Sequence, residues 1–200
     1  IMNIIRPIPK KLYLAISGGV DSMVALHFLL NGRKDVKCLY FNHGTKFGDE
    51  CESFLKDSVD NLICKRLDRV MEKGRSLEDF WREARYEFFD EYSDRPVVTC
   101  HHLNDQIETF IQGIAHGRTD RLIPYERGNY IRPFLNVPKL EIVEYAARHG
   151  VKCMLDPSNE NLSFTRNRVR HKIIPQLFSI NSGLYKSMKK IFDAQMPPPW

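Results

Sequence analysis

The chain has 200 residues, 42% of them hydrophobic and 28% charged, with a formal net charge of +5, the profile of a globular protein with one substantial core and at most a small appendage. No apolar run approaches the roughly 18–20 residues needed to cross a bilayer, and residues 1–11 hold no signal-peptide core; a cytoplasmic protein without membrane contact is expected. The five cysteines Cys38, Cys51, Cys64, Cys100 and Cys153 include no C-x-x-C pair, which argues against a disulfide framework and against a zinc or iron–sulfur site.

In chain order, the apolar run Leu12–Ile16 predicts a buried strand ended by Ser-Gly-Gly. A helix follows from Ser22 to Asn31, then a strand at Val36–Phe41 ended by Asn42-His43-Gly44, and a helix over Glu50–Leu62. A third strand is expected at Ile63–Leu67. Ser76, followed by Glu78 and Asp79, caps a helix that runs to about Tyr92. Val97–Cys100 is a fourth strand, Asn104–Ala115 a helix, and Ile131–Leu135 a fifth extended segment. Pro138 opens a helix to His149, and a last helix runs from about Phe164 towards Pro175. Such alternation predicts an α/β fold: a doubly wound, mainly parallel five-stranded Rossmann-like sheet flanked by helices. The expected division is an α/β domain over 1–155, a small helical extension with a basic segment over 156–195, and a disordered tail at 196–200.

In doubly wound sheets, ligands bind beyond the carboxyl ends of the strands. Three strand ends here carry glycine or polar residues: Ser17–Ser22, Asn42–Gly44 and His101–Asp105. Ser17-Gly18-Gly19-Val20-Asp21-Ser22 between a strand and a helix suits a phosphate. Glycines let the backbone approach an anion, and the helix start adds partial positive charge. The loop lacks the lysine of a Walker A sequence and the spacing of a dinucleotide loop. Asp21 would repel phosphate unless a cation lay between them, which points to magnesium.

The loop resembles the PP-loop of the N-type ATP pyrophosphatases, which cleave ATP between the α and β phosphates. Further stretches resemble the tRNA(Ile)-lysidine synthetase family: Phe41-Asn42-His43-Gly44, Glu83-Ala84-Arg85-Tyr86, His101 to Thr109, Arg132-Pro133-Phe134, Asp156-Pro157-Ser158-Asn159 and Thr165 to Arg170. Together they cover roughly residues 10–178 in order. The resemblance implies that ATP adenylates the position-2 carbonyl of the wobble cytidine of a CAU-anticodon tRNA(Ile), and that the ε-amine of free L-lysine displaces AMP to give lysidine. It implies ATP contacts from Ser17, Gly18, Gly19, Val20, Asp21, Ser22, Asn42, His43, Gly44 and Arg85, with Asp21 holding magnesium. It also implies that Asp105 and Glu108 hold the substrate lysine, so that Asp21, Asp105 and Glu108 are the catalytic candidates.

Stepping about 100° per residue along the helix after His102 puts Leu103, Ile107, Phe110, Ile111 and Ile114 on one side and Asp105, Glu108 and Gln112 on the other. That acidic side suits either a wet surface or an ammonium ligand. On the last helix, Arg166 and Arg170 project inward with Val169, Ile173 and Leu177, while Arg168 points away. Inward arginines are costly unless they meet anions, so Arg166 and Arg170 join the lysine pocket, facing a carboxylate or phosphate. Arg168 and Lys172, with Arg118 and Arg121 of the loop after the acidic helix, are candidate RNA-backbone contacts. Strand alternation sends His101 and His102 to opposite faces, so at most one is expected at the site. Asp105, Glu108 or a histidine could take the proton of the lysine amine.

Two loops depart from the family pattern: His116–Leu122 lacks a glycine and gains arginines, and Thr45-Lys46 replaces a Leu-Arg pair. Many members also continue into tRNA-gripping domains, which leaves anticodon-loop contacts, a homo-oligomer or a partner protein to supply that grip here. The competing readings are another PP-loop reaction, such as thiolation or amidation of RNA or a small molecule, and a nucleotide- or tRNA-binding module without turnover.

Overall fold

In the computed structural model, which describes residues 2, 4, 6–120 and 122–195, alternation within β1 (Lys11–Ala15) sends Leu12 and Leu14 to one face of the sheet and Tyr13 to the other. β2 (Asp35–Asn42) divides likewise, with Val36, Cys38 and Tyr40 on the first face and Leu39 and Phe41 on the second. The first face is covered by α1 (Val20–Asn31) and α2 (Lys46–Ser58) and by α5 (Lys139–His149). α3 (Leu77–Asp90) covers the second with Ala84, Phe88 and Phe89. Phe88, Leu14, Leu39 and Leu55 are almost fully buried, and each such side chain contributes about 1.5–3 kcal/mol of burial free energy.

The remaining strands are β3 (Leu62–Arg66), β4 (Val97–Val98), β5 (Glu126–Arg127) and β6 (Tyr130–Ile131). The order is β3-β2-β1-β4-β6-β5, parallel except for the β5–β6 pair. The first four expected strands form, the fourth only over Val97–Val98; of the fifth, Ile131–Leu135, only Ile131 is in a strand and residues 133–136 turn, and the sheet has six strands rather than five because β5 adds an antiparallel edge. Its signal was the Gly128-Asn129 pair between two short extended runs, a two-residue hairpin turn. Chain direction across the sheet reverses between β1 and β4, and the carboxyl ends of these two strands open a crevice at that switch point.

α2 starts four residues earlier than expected because Thr45 caps it, its hydroxyl accepting from the Gly48 N–H at 2.9 Å. It stops at Ser58 because residues from Leu62 onward pair with β2. α4 (Leu103–Ala115) buries both flanks: Leu103 and Ile107 enter a separate apolar cluster, while Gln106 and Glu108 are also fully buried. Glu108 is therefore not on a wet face, and Ile114, expected inside, is exposed.

That third cluster is completed by the C-terminal helices. α6 (Thr165–Arg168) passes through a π-helical stretch (Val169–Ile173) into α7 (Ile174–Ile180), and α8 (Leu184–Gln195) adds Leu184, Met188 and Phe192. Pro175 lies in the first turn of α7, where its missing N–H costs little. The Ile174 N–H reaches back five residues to the Val169 carbonyl. This one-residue insertion shifts the helical phase, so that Ile174 is buried and Ile173 is exposed, the reverse of the straight-helix projection. Arg121 and the tail 196–200 lie outside the described residues. Among the described residues, no helix is long and apolar enough to cross a membrane.

Candidate active site

The turn from β1 into α1 needs glycine at Gly18, whose φ is +79°. Gly19 is the N-cap position and offers no side chain to the first helical amides, which leaves them for a ligand. The loop is tied internally: Ser22 Oγ accepts from the Ser17 N–H at 3.1 Å and donates to the Gly19 carbonyl at 3.0 Å, and the Met154 N–H donates to the Gly18 carbonyl at 2.8 Å.

Two other helices start beside this loop. α4 is capped by His102, whose Nδ1 accepts from the Asp105 N–H at 3.3 Å, while Asp105 Oδ2 accepts from the His102 N–H at 2.9 Å. α5 starts at Lys139, whose N–H donates to Asn104 Oδ1 at 2.9 Å. Gly19, Asp21, His102, Asn104, Asp105, Lys139, Asp156 and Arg170 line one cavity of about 540 Å³. Three helix N-termini around one cavity favour an anion there. Asp21 does not stand alone: Lys139 Nζ lies 2.5 Å from its Oδ1, and His102 Nε2 lies 3.7 Å away. Lys139 was not foreseen, although a lysine directly after the proline that opens a helix opposes the helix dipole and so signals a nearby carboxylate.

The acidic pair and the inward arginines meet. Glu108, with no exposed side-chain surface, accepts from Arg166 Nε at 2.6 Å and from Arg170 Nε at 2.7 Å and Nη2 at 3.1 Å. Asp105 accepts from Arg166 Nη2 at 2.7 Å. Burial alone would raise the Asp105 carboxyl, but His102, Arg166 and His101 outweigh it and hold its pKa at about 2. Burial works against the charge of Arg166 and of Arg170, and the two carboxylates more than offset it, raising both. The four groups form a neutral, internally satisfied cluster.

On the other side of Asp105, a cavity of about 220 Å³ is lined by Ser17, Asp21, Ser22, Arg85, Thr99, His101 and Asp105. Burial lowers the Arg85 pKa, and among the described residues no carboxylate stands within 4 Å of its guanidinium. His101 Nδ1 bonds Thr99 Oγ1 at 3.0 Å. Burial, reinforced by Arg132, Arg166 and Arg82, pushes its pKa down to about 4, so the ring is neutral at physiological pH. Both histidines therefore border Asp105 from opposite sides. The expectation of only one fails because cavities open on both faces of the strand end.

Asn42, His43 and Gly44 line neither of these cavities. Asn42 is buried, donating to Asp49 Oδ1 at 2.9 Å and Glu52 Oε2 at 2.8 Å and accepting from the Gly44 N–H at 2.8 Å. It anchors the turn in which Gly44 takes φ +77°. The His43 ring stacks on Trp81 at 5.0 Å between centroids, and its buried Nδ1 has no partner among the described residues. Burial, with help from Arg85, pushes its pKa down to about 4. Arg118, Arg168 and Lys172 are exposed, and Arg168 Nη2 reaches only Thr165 Oγ1, at 3.2 Å.

A family model described as a PP-loop domain matches residues 3–177. Among curated proteins, the chain is 35% identical over 192 residues to a tRNA(Ile)-lysidine synthase of Nitrosomonas europaea, covering 86% of this chain and 42% of that one. It is 33% identical over 205 residues to the bifunctional protein TilS/HprT of Listeria innocua, covering 90% and 31%. It is 31% identical over 206 residues to a tRNA(Ile)-lysidine synthase of Francisella philomiragia, covering 95% and 51%. The chain thus spans about a third to a half of the length of these relatives. Among solved structures, the U34-tRNA thiolase NcsA of Methanococcus maripaludis shares the fold with a TM-score of 0.68 at 15% identity, covering 92% of this chain and 72% of that one.

Proposed function

Because this chain belongs to the PP-loop domain family, we propose that it is the ATP-using part of an RNA-modifying ligase that makes lysidine in a CAU-anticodon tRNA(Ile). The observation that carries this reading is the meeting of a phosphate cradle at Ser17–Ser22 with a buried Asp105–Glu108–Arg166–Arg170 cluster across one cavity. The lysidine synthases among its relatives support the same reading.

In the first step the O2 oxygen of the cytidine attacks the α-phosphorus of ATP, and pyrophosphate leaves with the electron pair of the broken bond. In the second, the ε-amine of lysine attacks C2, AMP leaves, and the nitrogen loses a proton. Gly18 and Gly19 let phosphate approach the loop backbone, while Lys139 and the half-buried Arg85 bring positive charge to either side of it. Asp105 and Arg170 line the same cavity with opposite charges, which suits an amino-acid zwitterion. Glu108 has no exposed surface, so its part in holding lysine is to fix Arg166 and Arg170.

Among the described residues, no three of His, Cys, Asp and Glu gather as a protein-only metal cage. A single carboxylate beside a phosphate cradle nevertheless fits magnesium, which is held largely by phosphate oxygens and water. Asp21 would be its protein ligand, and the ion would neutralise charge on the phosphates.

The test supplies ATP, magnesium, labelled lysine and a CAU-anticodon tRNA(Ile) transcript, and reads label in RNA together with AMP. Label in RNA with matching AMP is the expected result. ATP cleavage without lysine incorporation would assign another nucleophile, and no cleavage would leave a binding module. Asp21→Ala is expected to abolish AMP formation; full activity in that variant would remove the magnesium assignment.

A further inference from the structure

Three arginines from three separate elements converge outside the site described so far. Arg82 lies on the exposed side of α3, Arg127 on the edge strand β5, and Arg132 just beyond β6. They line two adjoining cavities of about 580 and 590 Å³, and Asp79 borders both. One cavity also holds Arg75, Glu83, Tyr86 and Tyr130, and the other runs inward to His101 and Arg166. His101 also lines the cavity of Asp21 and Asp105, so its ring borders both the groove and the candidate active site.

The three guanidinium groups are not ion-paired. Among the described residues none of the three guanidinium groups lies within 4 Å of a carboxylate, whereas Arg75 pairs with Glu83 and Arg166 with Asp105 and Glu108. Arg132 is only 4% exposed; its Nη1 donates to the Pro124 carbonyl at 2.9 Å, and its buried Nε has no partner among the described residues. Burial lowers the Arg132 pKa, and Arg82 and Arg127 lower it further against the opposing effect of Tyr86. A buried cation facing two like charges is costly unless an anion completes the set, and the guanidinium fork matches phosphate oxygens.

We propose that this groove seats a backbone phosphate of single-stranded RNA next to the nucleotide being modified. The proposal rests on the RNA-ligase reading above and places the strand on the face of α3 and β5. A strand fits better than a free phosphate because the two adjoining cavities, of about 580 and 590 Å³ and sharing all three arginines, exceed what a lone phosphate fills. Arg82 already lies flat over the Tyr86 ring at 4.8 Å, so its stem is ordered before RNA arrives. Glu78 and Asp79 on the rim are placed to accept from ribose hydroxyls or base amino groups.

The test measures binding of a fluorescent CAU anticodon stem-loop RNA, as a function of salt, to the full chain and to Arg82→Ala, Arg127→Ala and Lys172→Ala. The first two residues are exposed, so their substitution is compatible with folding, checked by unchanged thermal melting. Arg82→Ala and Arg127→Ala are each expected to weaken binding about 5- to 10-fold near physiological salt and to reduce the salt slope by about one. Lys172→Ala, outside the groove lining, is expected to bind nearly as the parent does. If the parent binds RNA but Arg82→Ala and Arg127→Ala bind equally well, the groove assignment falls and the functional reading stands. If the parent binds no RNA, the functional reading falls with it. Inorganic pyrophosphate serves as the competing anion: variants that lose its binding while keeping RNA affinity would make the groove a free-phosphate site and overturn the proposal.

Discussion

Replacing Glu108 with glutamine tests the buried cluster most directly. Glu108 accepts three hydrogen bonds from two guanidinium groups and has no exposed surface. Removing its charge leaves Arg166 and Arg170 with Asp105 alone. Breaking a buried pair by deleting one partner costs about 3–5 kcal/mol. The amide oxygen of glutamine keeps one acceptor, and each arginine side chain is 33% exposed, so water relieves part of the loss and the lower end, about 3 kcal/mol, applies. For a domain of this size that is a fall in Tm of about 6–12 °C. Urea unfolding should show a lower midpoint with an unchanged slope, since the surface exposed on unfolding stays the same. Exchanging Glu108, Arg166 and Arg170 together for apolar residues of similar volume should cost less than the three single exchanges summed. In the coupled assay Glu108→Gln should raise the KM for lysine more than that for ATP. A stability loss below about 1 kcal/mol, or equal effects on both KM values, would refute the reasoning.

Asp105→Asn should flatten the acid limb of the stability curve. The folded pKa of about 2 lies below the ordinary aspartate value, so this contribution is complete above about pH 4 and is lost as pH falls towards 2. It amounts to about 2 kcal/mol, and an unchanged urea midpoint profile between those pH values would contradict it. Gly48→Ala should destabilise by about 1–3 kcal/mol, because an added Cβ would stand 2.5 Å from Asn42 Oδ1, the acceptor that holds the Gly44 turn; thermal melting reads the loss. Lys139→Met should raise the KM for ATP while changing unfolding free energy by no more than about 1 kcal/mol, since its pairing with Asp21 is partly exposed. A wild-type KM would remove Lys139 from the phosphate site.

Much of this protein was legible in its residues alone. Short apolar runs marked the first four strands, two of them ended by Ser17-Gly18-Gly19 and Asn42-His43-Gly44, because buried parallel strands must be apolar and strand ends must turn. The loop Ser17–Ser22 carried its chemistry in consecutive residues, so its identity and its strand-to-helix setting could be read together. The inward orientation of Arg166 and Arg170 followed from helical period, since the two lie only about one turn apart. The same insertion moved Ile174 inward in place of Ile173, since one extra residue per turn rotates all that follows. Sequence order carried no information on pairings across the fold: Lys139 with Asp21, Arg166 with Glu108, or the convergence of Arg82, Arg127 and Arg132. Each pair joins residues about 50 or more apart or on different elements, and only the packing of α3, α4, α5 and the C-terminal helices around the β1–β4 switch point brings them together. Residue pattern determined which chemistry was present; tertiary packing decided that the acidic face of α4 is buried and neutralised rather than wet, because two arginines from the chain itself already meet it there.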